Sequence, residues 1–222
     1  MSQLTIAVGN KNYSSWSLRG WLALEHTGVP YEEVVIPLGV ADTHARIASV
    51  SPSGRVPALR HGDVHVWESL AIGEYLAEAL PDARLWPEDR VARACARAVS
   101  SEMHAGFAAL RSSMPMNVRS RLPGYGRTPG SLRDIERIRT LWSECRSRFG
   151  QGGPFLFGRF SVADAMYAPV VFRFRTYDVQ LDPGQSAYLE AMLAHPGMQK
   201  WARAAEAEAW TVEDDEYPTI RA

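Results

Sequence analysis

Residues 5–19 read TIAVGNKNYSSWSLR, an apolar strand signal that runs straight into a hydroxyl-rich turn and the start of an amphipathic helix. Thr5, Ile6, Ala7 and Val8 have the short, partly β-branched character of a buried strand. Ser14 and Ser15 then stand where a helix presents unpaired N–H groups and the positive end of its dipole, a place that stabilises an anion. Simple helix capping is the alternative use, and it accounts for one of the two serines. Cys95 is the first cysteine in the chain, so a thiol activated at this turn must come from another molecule.

Outward from the turn, residues 15–27 continue as a helix, with Leu18, Trp21 and Leu22 on one stripe and Gly28-Val29-Pro30 as the stop. Tyr31 to Ile36 read as a second strand, and Pro37 to Pro52 as a looser segment with one short helix. Val56–Arg60 and Val64–Trp67 flank His61-Gly62-Asp63 as a hairpin, and Ser69 to Leu80 form a helix stopped by Pro81. The order β-α-β-α-β-β-α predicts an α/β unit with a mixed sheet over residues 1–80. Residues 81–89, with Pro81 and Pro87, read as a linker, and residues 90–222 as all-helical. There Val91, Cys95, Ala98 and Val99 form one expected apolar stripe, and Ile135, Ile138, Trp142, Cys145 and Phe149 a second. Both cysteines are expected in the core. Met114 to Gly130 reads as a loop bordering a site, and Ser161 to Asp164 as a capping box before a helix that Pro169 should kink.

Composition narrows the function classes. The 222 residues are 46% hydrophobic and 22% charged with a net charge of −1, which fits a soluble globular protein and argues against a globally basic nucleic-acid binder. No apolar run approaches the ~20 residues of a membrane span, and no basic-then-apolar leader opens the chain. Two isolated cysteines make neither a disulfide framework nor a zinc pattern, and no metal site is expected; a reducing cytoplasm is the expected location. Residues 90–148 hold twelve Arg against four acids, read chiefly as solvated helix faces, with attraction of an anionic ligand as the sharper alternative.

Three segments carry chemistry. A Ser/His/Asp triad has no support, because no G-x-S-x-G elbow exists. A hydroxyl at Ser14 can instead donate to a bound thiolate, an interaction of roughly 1.5–3 kcal/mol, or about one to two pKa units. Second, Ser53-Gly54-Arg55-Val56-Pro57-Ala58-Leu59 places a proline at a strand start. With a cis Val56-Pro57 bond, the Val56 N–H and C=O would face outward toward an extended, peptide-like ligand. Third, Glu68-Ser69 puts a carboxylate and a hydroxyl at a helix start, suited to a ligand with an amine and a carboxylate, or to a plain N-cap.

In this order and at these distances, the three segments resemble the soluble glutathione transferase family over essentially the full chain. The Ser14-Ser15-x-Ser17-x-Arg19 turn is similar to the serine-type classes and nearest the zeta class. The resemblance implies a thioredoxin-like N-terminal domain with a mixed four-stranded sheet plus an all-α C-terminal domain. It implies glutathione as co-substrate, with Ser14 (alternatively Ser15) stabilising its thiolate, Val56 beside Pro57 pairing with the cysteinyl backbone, Glu68 and Ser69 holding the γ-glutamyl group, and Arg55 meeting the glycyl carboxylate. The electrophile pocket would draw on Tyr13, Trp16, His104, Phe107, Arg111 and Met114. Trp16 stands where zeta enzymes carry cysteine, and their substrate-carboxylate arginine falls at Thr176, beside Arg175. The expected activity is thiolate attack on a small electrophile. The alternatives are a glutathione-dependent isomerase or dehalogenase, as in maleylacetoacetate isomerisation, and a non-catalytic glutathione-binding module. A homodimer is implied as well.

Overall fold

A computed structural model describes residues 3–216. The first half is a four-stranded sheet in the order β2-β1-β3-β4. Strand β1 (Leu4–Val8) pairs parallel with β2 (Tyr31–Val35) and antiparallel with β3 (Ala58–His61), which pairs antiparallel with β4 (Val64–Trp67). The alternation of β1 explains why the sheet is covered on both sides. Leu4, Ile6 and Val8 enter the main core, while Ala7 joins Ile36 and Ile47 in a second cluster. Ile47 belongs to the short helix α2 (Thr43–Ala48). Helices α1 (Ser15–His26) and α3 (Ser69–Ala79) pack against each other and supply Leu18, Trp21, Leu22, Ile72 and Leu76 to the main core. The β3–β4 turn is the two residues Gly62-Asp63, with Gly62 at φ 60°, the left-handed geometry that twisted hairpins favour. This is the mixed, thioredoxin-like sheet expected of the first half.

The second half is helical: α4 (Arg90–Ala105), α5 (Ala108–Ser113), α6 (Pro129–Phe149), α7 (Val162–Thr176), α8 (Pro183–Ala194) and α9 (Pro196–Ala207). Within α7 every residue but Arg175 is buried, so this helix forms the centre of the molecule. It packs on α1, α3, α4 and α8. Its approach to α3 is close enough that a Cβ on Gly73 would lie 2.7 Å from the Val162 Cγ1, which accounts for a glycine inside a helix. The helix continues unbroken through Pro169. No helix among the described residues is long and apolar enough to cross a membrane.

Two expectations, the apolar stripe of the first long helix and the burial of Cys95, change in detail. The stripe of α4 is displaced by one residue: Val91 is 54% exposed, and burial falls on Ala92, Ala96, Val99, Ser100 and Met103. Small alanines form this face, which lets α4 lie close against α7. Accordingly Cys145 is buried, whereas Cys95 is only half-buried. At Ser161, both the backbone N–H (2.8 Å) and the hydroxyl (3.0 Å) donate to the Asp164 carboxylate, which also accepts the Leu156 N–H at 3.0 Å. The carboxylate therefore ties the loop before α7 to the helix start, and burial pushes its pKa up to about 6. Of the arginines of 90–148, Arg97, Arg137 and Arg139 meet surface acids (Glu74 at 2.8 Å, Glu102 at 2.7 Å and Glu136 at 3.0 Å), while Arg93, Arg121, Arg127 and Arg146 donate to backbone carbonyls.

Candidate active site

Ser14 precedes α1 with φ −76° and ψ 85°, and its side chain makes no cap hydrogen bond. Its hydroxyl donates instead to Ser17 Oγ at 2.8 Å, and that oxygen also accepts the Gly9 N–H at 2.9 Å. The simple capping alternative therefore does not describe Ser14. Ser15 is half-buried, and its N–H donates to the Tyr13 carbonyl at 2.8 Å. Both serines follow a tight turn in which the Asn10 carbonyl accepts the N–H groups of Tyr13 (3.3 Å) and Ser14 (2.8 Å).

Beside the start of α1 lies a cavity of about 360 Å³ lined by Trp16, Arg55, Val56, Pro57, Glu68, Ser69, His104 and Arg111. Sequence reasoning named all eight, and the fold brings them together from α1, the β3 approach, the start of α3 and helices α4 and α5. Ser14 and Ser15 do not line this cavity; Trp16, one and two residues further, does. A larger cleft, of about 530 Å³, shares no residue with it. The Val56-Pro57 bond is cis, and no hydrogen bond among the described residues occupies the Val56 N–H or carbonyl. Ser69 opens α3, where its own N–H lacks an intrahelical acceptor; among the described residues its hydroxyl meets a weak acceptor, the Met166 Sδ, at 3.9 Å. Glu68 holds a left-handed φ of 68° and lies 3.4 Å from His104 Nε2.

The electrostatics of the inner wall are cationic. Arg19 is 1% exposed, donates from Nε to the Met166 carbonyl at 3.1 Å, and among the described residues has no hydrogen-bond partner for either terminal nitrogen. Its guanidinium lies 4.3 Å from the Trp16 ring centroid, with that of Arg111 at 4.9 Å and the His104 ring at 5.1 Å. Burial first, then the neighbouring Arg173 and Arg111, push the Arg19 pKa well below its ordinary value. His104 is pushed down by burial and by Arg19 and Arg111, against the opposing pull of Glu68, and is therefore neutral at pH 7.

Three residues expected around the electrophile lie elsewhere. Phe107 and Met114 are buried in the core. The Tyr13 hydroxyl accepts from Arg119 at 2.9 Å and donates to Glu216, and burial followed by that carboxylate raises its pKa. At the end of α7, Thr176 bonds the Asn117 carbonyl (2.9 Å) and Arg175 that of Val118 (3.0 Å), and neither lines the cavity. The Met114–Gly130 loop does not line it either; Leu122 and Gly124 bond back to the end of α7. The buried cation Arg19, which packs on Trp16 behind the lining, escaped sequence reasoning, although a charge directly after the apolar Leu18 was a readable signal.

Comparison with known proteins bears on both halves. The model described as the glutathione S-transferase N-terminal domain matches residues 13–79, and that of the C-terminal domain matches residues 116–204. Maleylacetoacetate isomerase of Rattus norvegicus is 30% identical over 176 residues, 76% of this chain and 77% of its own. Glutathione S-transferase GstB of Escherichia coli K12 is 27% identical over 206 residues, 88% and 90% of the two chains. Among solved structures, a glutathione transferase homologue from Burkholderia, with bound glutathione, superposes at a TM-score of 0.71 and 22% identity, covering 93% of this chain and all of the other. A diazinon-metabolizing glutathione S-transferase of the silkworm Bombyx mori gives 0.72 at 18% identity, covering 91% and 96%. Those two likenesses concern the fold; the domain models and the rat relative concern descent, and by them the chain belongs to the glutathione S-transferase family.

Proposed function

We propose that the chain binds glutathione in the 360 Å³ cavity and activates its thiol as a thiolate for attack on a small electrophile. The observation that carries this reading is the convergence of Trp16, Val56-Pro57 and Glu68-Ser69, far apart in sequence, on one cavity beside the α1 start. Chemically, the open N–H and carbonyl of Val56 suit the cysteinyl backbone, and the Ser69 N–H and hydroxyl suit the γ-glutamyl carboxylate. Glu68 suits the γ-glutamyl amine, and Arg55 the glycyl carboxylate. Ser14, with Ser15 as the alternative, would donate to the sulfur at the positive end of the α1 dipole once its hydroxyl turns from Ser17 Oγ toward the cavity, whose lining includes neither serine. Trp16, His104 and Arg111 flank the electrophile. Tyr13, Phe107 and Met114 stand outside the lining and would reach a substrate only after rearrangement. We further place the division between the two domains at residues 81–89, the protein in the cytoplasm, and the functional unit as a homodimer.

A second reading is a glutathione-dependent isomerase, in which the thiolate adds and is later expelled. It is favoured by the relatives described as a maleylacetoacetate isomerase and a probable one, and the guanidinium of Arg111 in the lining suits an acidic substrate. Product analysis separates the two, since conjugation consumes glutathione and isomerisation regenerates it. For the leading reading, a chlorodinitrobenzene assay should show kcat/KM reduced about tenfold or more in Ser14→Ala, with glutathione retention preserved. Wild-type turnover in both Ser14→Ala and Ser15→Ala would remove the assigned mechanism.

A further inference from the structure

We propose that Glu208 is a positioning residue for thiolate activation: from just beyond α9 its carboxylate clamps the turn that presents Ser14. This inference rests on the Ser14 reading above. The turn runs from Asn10 to Tyr13, and the N–H groups of its two central residues, Lys11 and Asn12, have no acceptor within it. Both donate to one side chain: Lys11 N–H to Glu208 Oε1 at 2.7 Å and Asn12 N–H to Oε2 at 3.1 Å. A carboxylate that accepts two backbone N–H groups forms charge-assisted bonds and fixes the peptide planes between them.

The carbonyls of the same two residues are taken by the second half of the chain as well. Lys11 O accepts the Trp201 indole N–H at 2.7 Å, and Asn12 O accepts the Val118 N–H at 3.2 Å. Glu208 is itself held, because Arg119 donates to its carbonyl at 2.7 Å and to that of Trp210 at 3.2 Å. The Arg119 N–H donates in turn to Asn12 Oδ1 at 2.9 Å. All four backbone polar groups at the centre of the turn are therefore bonded by residues beyond 117. The path from strand to Ser14 is set by the C-terminal segment, and catalytic geometry is sensitive to displacements of about 1 Å.

The sign of the effect separates positioning from simple electrostatics. If Glu208 mattered only as a nearby negative charge, neutralising it would favour the thiolate and lower the bound thiol's pKa. Positioning predicts the reverse. In the full-length protein, the thiol of bound glutathione is titrated by its thiolate absorbance in wild type, Glu208→Gln, Glu208→Ala and Ser14→Ala. The expected result is a rise in thiol pKa of about half a unit in Glu208→Gln and about one unit in Glu208→Ala, with kcat/KM for chlorodinitrobenzene at pH 6.5 reduced about three- to tenfold. The affinity for glutathione stays within about twofold, since the residues assigned to its backbone are untouched. Wild-type amide exchange, which needs no variant, should show slow exchange at Lys11 and Asn12; rapid exchange at both would overturn the clamp. A thiol pKa unchanged or lowered in both Glu208 variants, while Ser14→Ala raises it, would overturn the positioning role. A pKa that Ser14→Ala leaves in place would instead overturn the Ser14 reading, so the two failures are distinct.

Discussion

At the scale of single residues, Glu68 combines a strained backbone with a place in the cavity lining. A left-handed φ of 68° on a non-glycine residue costs of order 1–3 kcal/mol and persists because its surroundings impose it. Glu68→Gly relieves that strain at the cost of some unfolded-state entropy, so the protein should gain roughly 1 kcal/mol by thermal or urea unfolding. The same variant loses the carboxylate assigned to the γ-glutamyl amine, so the KM for glutathione should rise several-fold; a lower melting point would contradict the strain argument. Pro57, Glu68 and Ser69 were readable as neighbours because each stands at a junction of elements, where local backbone chemistry declares itself; Ser14, at a similar junction, lies outside the cavity lining. Arg19 and Glu208 were not, because what they do depends on Met166 and on Lys11, partners 147 and 197 positions away.

At the scale of elements, the contact of α3 with α7 joins the two halves next to the site. Gly73→Ala would force a Cβ to 2.7 Å from Val162 and should destabilise the protein by about 1–3 kcal/mol. Val162→Ala in the same chain should recover most of that loss, and a double-mutant cycle with no coupling would show that the helices separate instead. Helix periodicity located α4 and α6 but set the buried stripe of α4 one residue early, because Val91 is more hydrophobic than the Ala92 that is actually buried. The short helix α5 went unread within an expected helical region. Its start depends on Phe107 in a left-handed conformation and on the Asp134 carboxylate accepting the Leu110 N–H at 2.8 Å, neither of which is local pattern.

At the scale of the whole molecule, His26 on α1 and His195 before α9 meet across the two halves. His26 Nδ1 is 3.2 Å from His195 Nε2, while His195 Nδ1 accepts the Gly197 N–H at 3.1 Å. That second bond requires a neutral His195 with its proton on Nε2, donated to His26. Burial, then the neighbouring His26, push the His195 pKa down to about 4, with Glu25 opposing; burial and Arg159 push His26 down. Both folded values lie below the unfolded value near 6.5, so their contribution is present above that pH and is lost as pH falls toward 4. Asp164 runs the other way, its raised pKa adding stability below its unfolded value and losing it as pH rises through about 6. Comparing wild type with His195→Asn, which keeps a capping acceptor for α9, isolates the histidine part. The variant should lose less melting temperature than wild type between pH 6.5 and 4, and parallel curves would contradict the assignment.

The whole-molecule order, a mixed sheet followed by helices, was legible because the hydrophobic period changes after residue 80 and prolines mark the change. The cavity was legible as three motifs but not as a shape, since its helical wall is set by packing. What remains central is the source of thiol activation. It is tested most directly by titrating the thiolate absorbance of glutathione bound to wild type, Ser14→Ala and Ser15→Ala. The predicted result is a bound thiol that ionises about one to two units below the free value near ~8.5, and that Ser14→Ala returns most of the way up. A bound thiol whose pKa is the same in all three proteins would contradict it.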